Sequence, residues 1–568
     1  MATYDDTADD IVEDVEIPLQ YSSGGGDQII LEQAEAEETP GDDALASSKP
    51  APGTHQGSSD AYHQEIVPSV VRNFLVYFQT QVANRNIYEL HSIYENSFNK
   101  LTERFYGKNS RWADPALVSE FVKDDPVFII LYKELYYRHV YARLSPTIDD
   151  RINSYINYCD LFNYILNLSE GPTDLELPNQ WLWDIIDEFI YQFQSFCTYR
   201  SKVKSKNEEE IGLLRDRPDV WNVHNVLNVL YSLMSKSRIN EQLYVTKTGG
   251  DVTSIAGEFG CRTLYKMLGY FSIIGLLRVH CLLGDYVLAL KTMDNIELNK
   301  KGMFARITAC HVTTYYYIGF AYMMMRRYSD AIKTFSHISL FISRTKQYHS
   351  RNHQYDDITK KSEQMYALLA MCVALCPQVV DENVDTLMRE KYGDQLSKMQ
   401  RNETSAMAVF EELFNFACPK FISPVAPNYD DPKNTPQIPT ALQTRIFLSE
   451  VRQQLYISTI RSYLKLYTSL GVDKLATFLD LPSEELRTQL LTFKHKTRQR
   501  RWDSGKVSDG EYGPTSDLDL YINQDMIHVV ESKQGRRVGD WFIRHANKLD
   551  DVITSMQTAK AKKLTAAE

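Results

Sequence analysis

Catalytic and metal-binding signatures are what this chain most conspicuously lacks. Its 568 residues hold no GxxxxGKS/T phosphate loop, no GxGxxG, no HExxH and no GxSxG elbow, and none of the 13 His forms a His-x-His pair with a downstream Asp. The eight Cys are scattered: the nearest pair, Cys372 and Cys376, has a spacing that suits packing on one helix, and no CxxC or His pair completes a zinc set. An enzyme, a metal site and a bound cofactor are therefore not expected, and a reduced, cytoplasmic setting is. The chain opens on acid where a secretory leader needs a basic and then apolar stretch, and no window is expected to reach the apolar length of a membrane span. Positive charge is nearly missing from residues 1 to 60, which carry 15 Asp or Glu against one Lys, a net of −14. Since the whole chain is at −12, the other 508 residues carry +2, and the acidity describes the tail rather than a folded surface. That tail, with Gly24 to Gly26 and the Ser, Pro and Gly of 47 to 59, is too polar to offset its ordering entropy, so 1–60 is expected to be disordered.

Aromatic residues are abundant instead. Leu131 to Tyr141 and Leu177 to Phe193 are dense in Tyr, Trp and Phe. In the second string Trp181, Ile185, Phe189 and Phe193 share a helix face that Trp183, Ile186 and Ile190 widen, which implies burial on more than one side. The rings suit the core of a helical solenoid or a groove for an aromatic-rich partner helix. Residues 61–245 thus read as an N-terminal aromatic-rich helical region, interrupted by a charged exposed stretch from Lys202 to Arg217.

Residues 255–440 read as helical repeats. Gly284 to Ile296 matches Arg326 to Ile338 at an offset of 42: Tyr286 pairs with Tyr328, Ala289 with Ala331, Met293 with Phe335 and Ile296 with Ile338. A small Ala lets the second helix of each hairpin approach the first, and the large residue a turn later fills the gap between repeats. The period exceeds the 34 of tetratricopeptide repeats, so the hairpins are irregular.

Residues 441–533 change pattern. Ile457, Ile460, Leu464 and Tyr467 form one helical stripe, expected to end near Leu470 and Gly471. A short second helix has Leu475, Phe478, Leu479 and Leu481 as its buried candidates, and Pro482 opens a third with Leu486, Leu490 and Phe493 on its apolar line. The far end of that third helix is basic: Lys494, Lys496, Arg498, Arg500 and Arg501. Such a run favours the helix macrodipole as a solvated face or, alternatively, contacts RNA or ribosome phosphates; no base-reading set accompanies it. Alternation follows in Leu518, Leu520 and Ile522, a turn at Asn523 to Asp525, then Ile527 and Val529. Three helices and a two-stranded wing make a winged helix. In the last segment, 534–568, Trp541, Phe542, Ile543, Leu549, Val552 and Ile553 give a mixed stripe that suits a helical bundle.

A helical-repeat array running directly into a winged helix resembles the PCI family, whose module is shared by proteasome lid, signalosome and translation initiation factor 3 subunits. The strings Leu131 to Tyr141, Leu177 to Phe196, Leu264 to Phe271, Asn295 to Lys301 and Val312 to Tyr317, with Phe493 to Lys496 and Asp525 to His528, are most similar to the factor 3 members. The resemblance spans roughly Val67 to Lys548, and the acidic tail departs from it. It implies a mainly α fold: a right-handed, TPR-like helical-repeat solenoid, a C-terminal winged helix completing the PCI module, and a terminal helix. It also implies a non-catalytic scaffold with no cofactor, neighbouring factor 3 subunits K and E, engagement of the 40S ribosomal subunit and mRNA, and no membrane. Autonomous RNA binding, or membership of a lid- or signalosome-like complex, is the alternative. The expected partner surface is the wing, through Leu520, Ile522, Ile527 and Val529 and the free edge of its strands, together with Trp541, Phe542, Ile543, Leu549 and Val552.

Overall fold

The computed structural model describes residues 67–107, 110–167, 171–298, 302–349, 355–401, 405–430, 437–531 and 535–565. The acidic tail lies outside them.

The chain is mainly helical. In the N-terminal region α1 (Ser69–Asn84) buries Val70, Val71, Phe74, Leu75, Phe78 and Val82 along one face. Asp125 caps α2 (Pro126–Arg143) through the Val127 and Phe128 amides, with Pro126 in the first turn where its missing N–H costs nothing. A reciprocal capping box between Thr147 and Asp150 starts α3 (Ile148–Leu166). All seven apolar residues named on the Trp181 helix, α4 (Asn179–Ser201), are buried, as breadth of stripe required. Trp181 stacks on Tyr94 with ring centroids 5.1 Å apart, and Phe189 meets Phe162 edge-on at 5.0 Å. The charged stretch after α4 forms a 3-10 turn and the helix Glu208–Asp216, of which only Leu214 is buried.

A buried polar network threads these rings. Glu134 accepts from Trp181 Nε1 at 3.1 Å and pairs with Arg138, which also reaches Tyr94 and Asp184. Burial pushes the Asp184 carboxyl up to about 6 and that of Glu188 up to about 7.

The repeats follow. After α5 (Val223–Lys236), the hairpins are α6 (Thr263–Leu283) with α7 (Tyr286–Thr292) and α8 (Thr308–Met324) with α9 (Tyr328–His349). Ala289, Met293, Ile296 and their counterparts Ala331, Phe335 and Ile338 are buried at the predicted positions. Close approach is enforced at Gly319 on α8, where an added Cβ would meet the Phe335 ring at 2.5 Å. The first copy is shorter because its second helix stops at Thr292 and Asp294 turns away to accept from Ser508.

Contrary to expectation, one helix among the described residues, α6, is long and apolar enough to cross a membrane, but most of it is buried inside the protein. It is apolar all round because α4, α5, α7 and α8 enclose it. Cys372 and Cys376, at the end of α10 (Tyr355–Leu375), pack in the same core.

One apolar cluster runs from Val67 to Val507, and a second is built by Ile460, Leu464, Leu470, Val472, Leu475, Ala476, Leu486, Leu490, Phe493, Leu518, Leu520 and Ile527. The second belongs to the winged helix, entered through α11 (Ile438–Gln454). Its helices are α12 (Ile457–Leu464), α13 (Val472–Leu479) and α14 (Ser483–Lys496). α12 stops at Leu464, earlier than the stripe suggested, because Ser469–Gly471 becomes strand β1. Phe478 is exposed rather than buried: Leu475 and Ala476 already fill the core face, and Phe478 stacks on Tyr463 at 5.7 Å instead.

Strands β2 (Arg498–Arg501) and β3 (Glu511–Pro514) pair antiparallel, Arg498 opposite Pro514. Strands β4 (Leu518–Asn523) and β5 (Met526–Glu531) form the expected hairpin, Ile522 opposite Ile527. The turn places Gln524 at φ +54°, and β1 joins β5 on its far side, giving the sheet order β1-β5-β4.

Candidate partner interface of the winged helix and terminal helix

The wing hides half of the side chains expected to face a partner. Leu520 is 3% exposed and Ile527 is fully buried, both in the winged-helix core, while Ile522 and Val529 are half-buried against it. Period two explains this: the apolar line of a one-sided sheet faces its own helices. The outward residues are Tyr521, Met526 and Val530, all exposed, with Tyr521 stacked on His528 across the hairpin at 4.7 Å. Nor is the sheet edge simply free. β5 is the central strand, and on the edge strand β4 the Leu520 carbonyl accepts from Lys494 Nζ at 2.8 Å while its N–H donates to the Asp519 carboxylate at 2.8 Å. Side chains thus occupy the backbone groups a partner strand needs there.

The basic run also differs from its expected placement. α14 ends at Lys496, so Lys494 and Lys496 lie on its last turn while Arg498, Arg500 and Arg501 sit on β2. Lys494 lies 3.8 Å from Asp519, Lys496 pairs with Glu450 of α11, and Arg498 reaches Asp519 at 3.3 Å. Arg500 lies over the exposed Tyr512 ring at 5.4 Å. Three of the five cations are therefore committed to carboxylates of this chain.

What holds the winged helix in place is a clamp that sequence reasoning passed over. The 502–510 loop between β2 and β3 lies on the second repeat. Tyr322 donates to the Val507 carbonyl at 2.9 Å, and Val507 is fully buried in the solenoid core. Arg327 donates from Nε to Asp330 at 2.8 Å, and from its two terminal nitrogens to the Ser508 and Asp509 carbonyls at 3.2 and 2.8 Å. Asp330 in turn accepts from the Trp502 amide at 3.0 and 3.1 Å. Both side chains of this ion pair are almost wholly buried. Gly510 permits the approach, since a Cβ there would fall 2.9 Å from Arg327 Nη2 and 3.0 Å from the Arg501 carbonyl. The legible signal was a departure from the repeat, because the positions of Arg327 and Asp330 are Asp285 and Leu288 in the first copy.

α15 (Gly535–Thr565) carries the expected stripe. Trp541 is 39% exposed, Phe542 61%, Ile543 60%, Leu549 63% and Val552 55%, with Ile553 and Met556 exposed beside them. Among the described residues nothing covers this apolar line. Trp541 meets Phe542 edge-on at 4.9 Å and stacks on His545 at 4.0 Å within the helix.

The family described as RNA polymerase I-associated factor PAF67 matches residues 150–549, which take in the solenoid from α3 onward, the winged helix and the start of α15. Relatives named eukaryotic translation initiation factor 3 subunit L align over most of the chain. The one from Mycosarcoma maydis is 54% identical over 500 residues, 86% of this chain and 74% of that protein. That from Danio rerio is 53% identical, covering 87% and 89%, and that from Homo sapiens 52% identical, covering 87% and 91%. At this identity and coverage, the chain belongs to the eukaryotic translation initiation factor 3 subunit L family.

Proposed function

We propose that this protein is a non-catalytic scaffold subunit of translation initiation factor 3, acting in the cytoplasm during the initiation of protein synthesis. The observation that carries the reading is the uncovered apolar line of α15, on a helix that follows a winged helix clamped to its solenoid. In this reading Trp541, Phe542, Ile543, Leu549 and Val552 enter a bundle with helices of other factor 3 subunits, K and E being the nearest neighbours. The outer wing face at Tyr521, Met526 and Val530 adds a second contact. The assembled factor then engages the 40S subunit and supports mRNA recruitment. The functional units are the aromatic region 61–245, the repeats 255–440, the winged helix 441–533 and the terminal segment 534–568, with 1–60 as a solvating acidic tail.

Direct RNA binding is the weaker role for the basic run, because Lys494, Lys496 and Arg498 already have carboxylate partners within the chain, and a phosphate would have to displace them. The reading is tested by tagging the protein in its own cells, sedimenting nuclease-treated lysate, and identifying what co-purifies from heavy fractions by mass spectrometry. Factor 3 subunits in fixed proportion, with 40S proteins in part of the gradient, are expected. A light, RNase-sensitive species without them would overturn it.

A further inference from the structure

A cavity of about 590 Å³ opens between α4, α6, α8, α10 and the 418–420 segment, remote in sequence from the wing and α15. Its lining is cationic. Arg151, Lys202, Arg278, Lys360, Lys361 and Lys420 face three carboxylates, Asp184, Asp187 and Asp357, a surplus of three positive residues.

Several of these cations are poorly compensated within the chain. Arg151 is buried, donates to Ser195 Oγ at 3.1 Å and lies 4.5 Å above the Tyr199 ring; among the described residues no carboxylate comes within ion-pair distance of it, and its Nε has no partner. Arg278 is buried and paired with Asp187, yet its Nε also lacks a partner. Lys361 rests its ammonium over the rings of Tyr316 and Tyr317, 4.6 and 5.2 Å from their centroids, again with no carboxylate in ion-pair distance among the described residues. A buried cation without a counter-charge is costly, and proteins retain such groups where a ligand supplies the charge. Burial, with Arg278 close by, pulls the Lys361 amine down to about 8; burial, with Arg151 and Lys202 adding to it, pulls down Lys206, which covers the other face of this rim at Tyr199, to about 8.

We propose that this cavity binds a small phosphorylated molecule, its phosphates held between the Lys361 ammonium and the guanidinium groups of Arg278 and Arg151. Guanidinium forks and a point ammonium suit phosphate oxygens, and a surplus of three positive residues fits a diphosphate better than a single carboxylate. The volume is that of a small-ligand site and too confined for a folded partner.

The test uses the full chain and lysine acylation read by mass spectrometry. Acylation of Lys361 is followed in the free protein, and inorganic pyrophosphate at millimolar concentration is expected to protect it while leaving exposed Lys398 unprotected. ADP is run alongside: equal protection identifies phosphate alone as the recognised group, and stronger protection adds recognition of the base. By calorimetry, Lys361→Met is expected to weaken pyrophosphate binding at least about tenfold. Absence of protection by either phosphate compound, or protection equal at Lys361 and Lys398, overturns the proposal. Protection only by a short poly-glutamate peptide would overturn it in favour of an acidic peptide ligand. The labelling arm needs no variant, so a poorly folding Lys361→Met would not blunt it.

Discussion

At the scale of residues, the packing between repeats turns on single atoms. Gly319 leaves room for the Phe335 ring, and Gly319→Ala places a methyl 2.5 to 2.9 Å from three of its ring carbons. Overpacking of this kind costs about 1–3 kcal/mol, so the variant should lower the thermal midpoint seen by circular dichroism without changing helix content. The same stretch holds a buried and a half-buried imidazole: desolvation pulls His311 down to about 3 and His337 to about 4, His311 packing against Phe341 at 4.5 Å and His337 stacking on Tyr315 at 5.1 Å. A His whose folded pKa lies below its unfolded value stays neutral in the native state. Its contribution is therefore intact above about pH 6.5 and lost as pH falls, by up to about 1.4 kcal/mol per pH unit for each ring. Asp184 and Glu188, raised by burial, work in the opposite sense, since their cost shrinks on acidification. Comparing chemical denaturation of the native chain and His311→Phe between pH 6.5 and 4 isolates the imidazole: the variant should lose stability less steeply, and an unchanged slope would count against a buried neutral His311. The equivalence of Tyr286 with Tyr328 and of Met293 with Phe335 was legible in the sequence because the large side chains repeat at a fixed offset. The neighbouring Arg327 and Asp330 were not, because a buried ion pair has the same composition as a solvated one.

At the scale of elements, the clamp and the terminal helix make opposite predictions. Asp330→Ala leaves Arg327 buried without its carboxylate and removes the acceptor of the Trp502 amide, which should cost about 3–5 kcal/mol and open the 502–510 loop to limited proteolysis. Phe542→Ser, on an exposed face, should leave the midpoint of the isolated chain within about 0.5 kcal/mol of the native value. Helices with long stripes, α4 and α14 among them, could be read from periodicity because burial dictates their pattern. Short elements could not. β1 and β2 are three and four residues long and take their shape from pairing, β1 with the distant β5 and β2 with β3 across the 502–510 loop. The alternating wing was recognisable, yet its apolar line was assigned outward. Periodicity shows that one face is apolar without saying whether the chain's own helices or a partner covers it, and here Leu520 and Ile527 turn in.

At the scale of the whole molecule, the solenoid is a continuous buried core from Val67 onward, and the loop carrying Val507 joins the winged helix to it. A domain joined by one linker would tumble independently; one tied by Arg327, Asp330, Tyr322 and Lys496 is held against the solenoid. That rigidity suits a scaffold, whose contribution is to place surfaces rather than to transform a substrate. The cavity between α4 and α10 could not be foreseen in the sequence, since Arg151, Arg278 and Lys361 meet only once the superhelix closes. α15 as the assembly surface is what sets a scaffold apart from an autonomous chain. The decisive measurement is quantitative mass spectrometry of complexes recovered with tagged native chain and with the double variant Phe542→Asp and Leu549→Asp, expressed at equal levels. Loss of factor 3 subunits from the variant, with its own fold and thermal midpoint intact, is the predicted result. Recovery of the same subunits in the same proportions would contradict it.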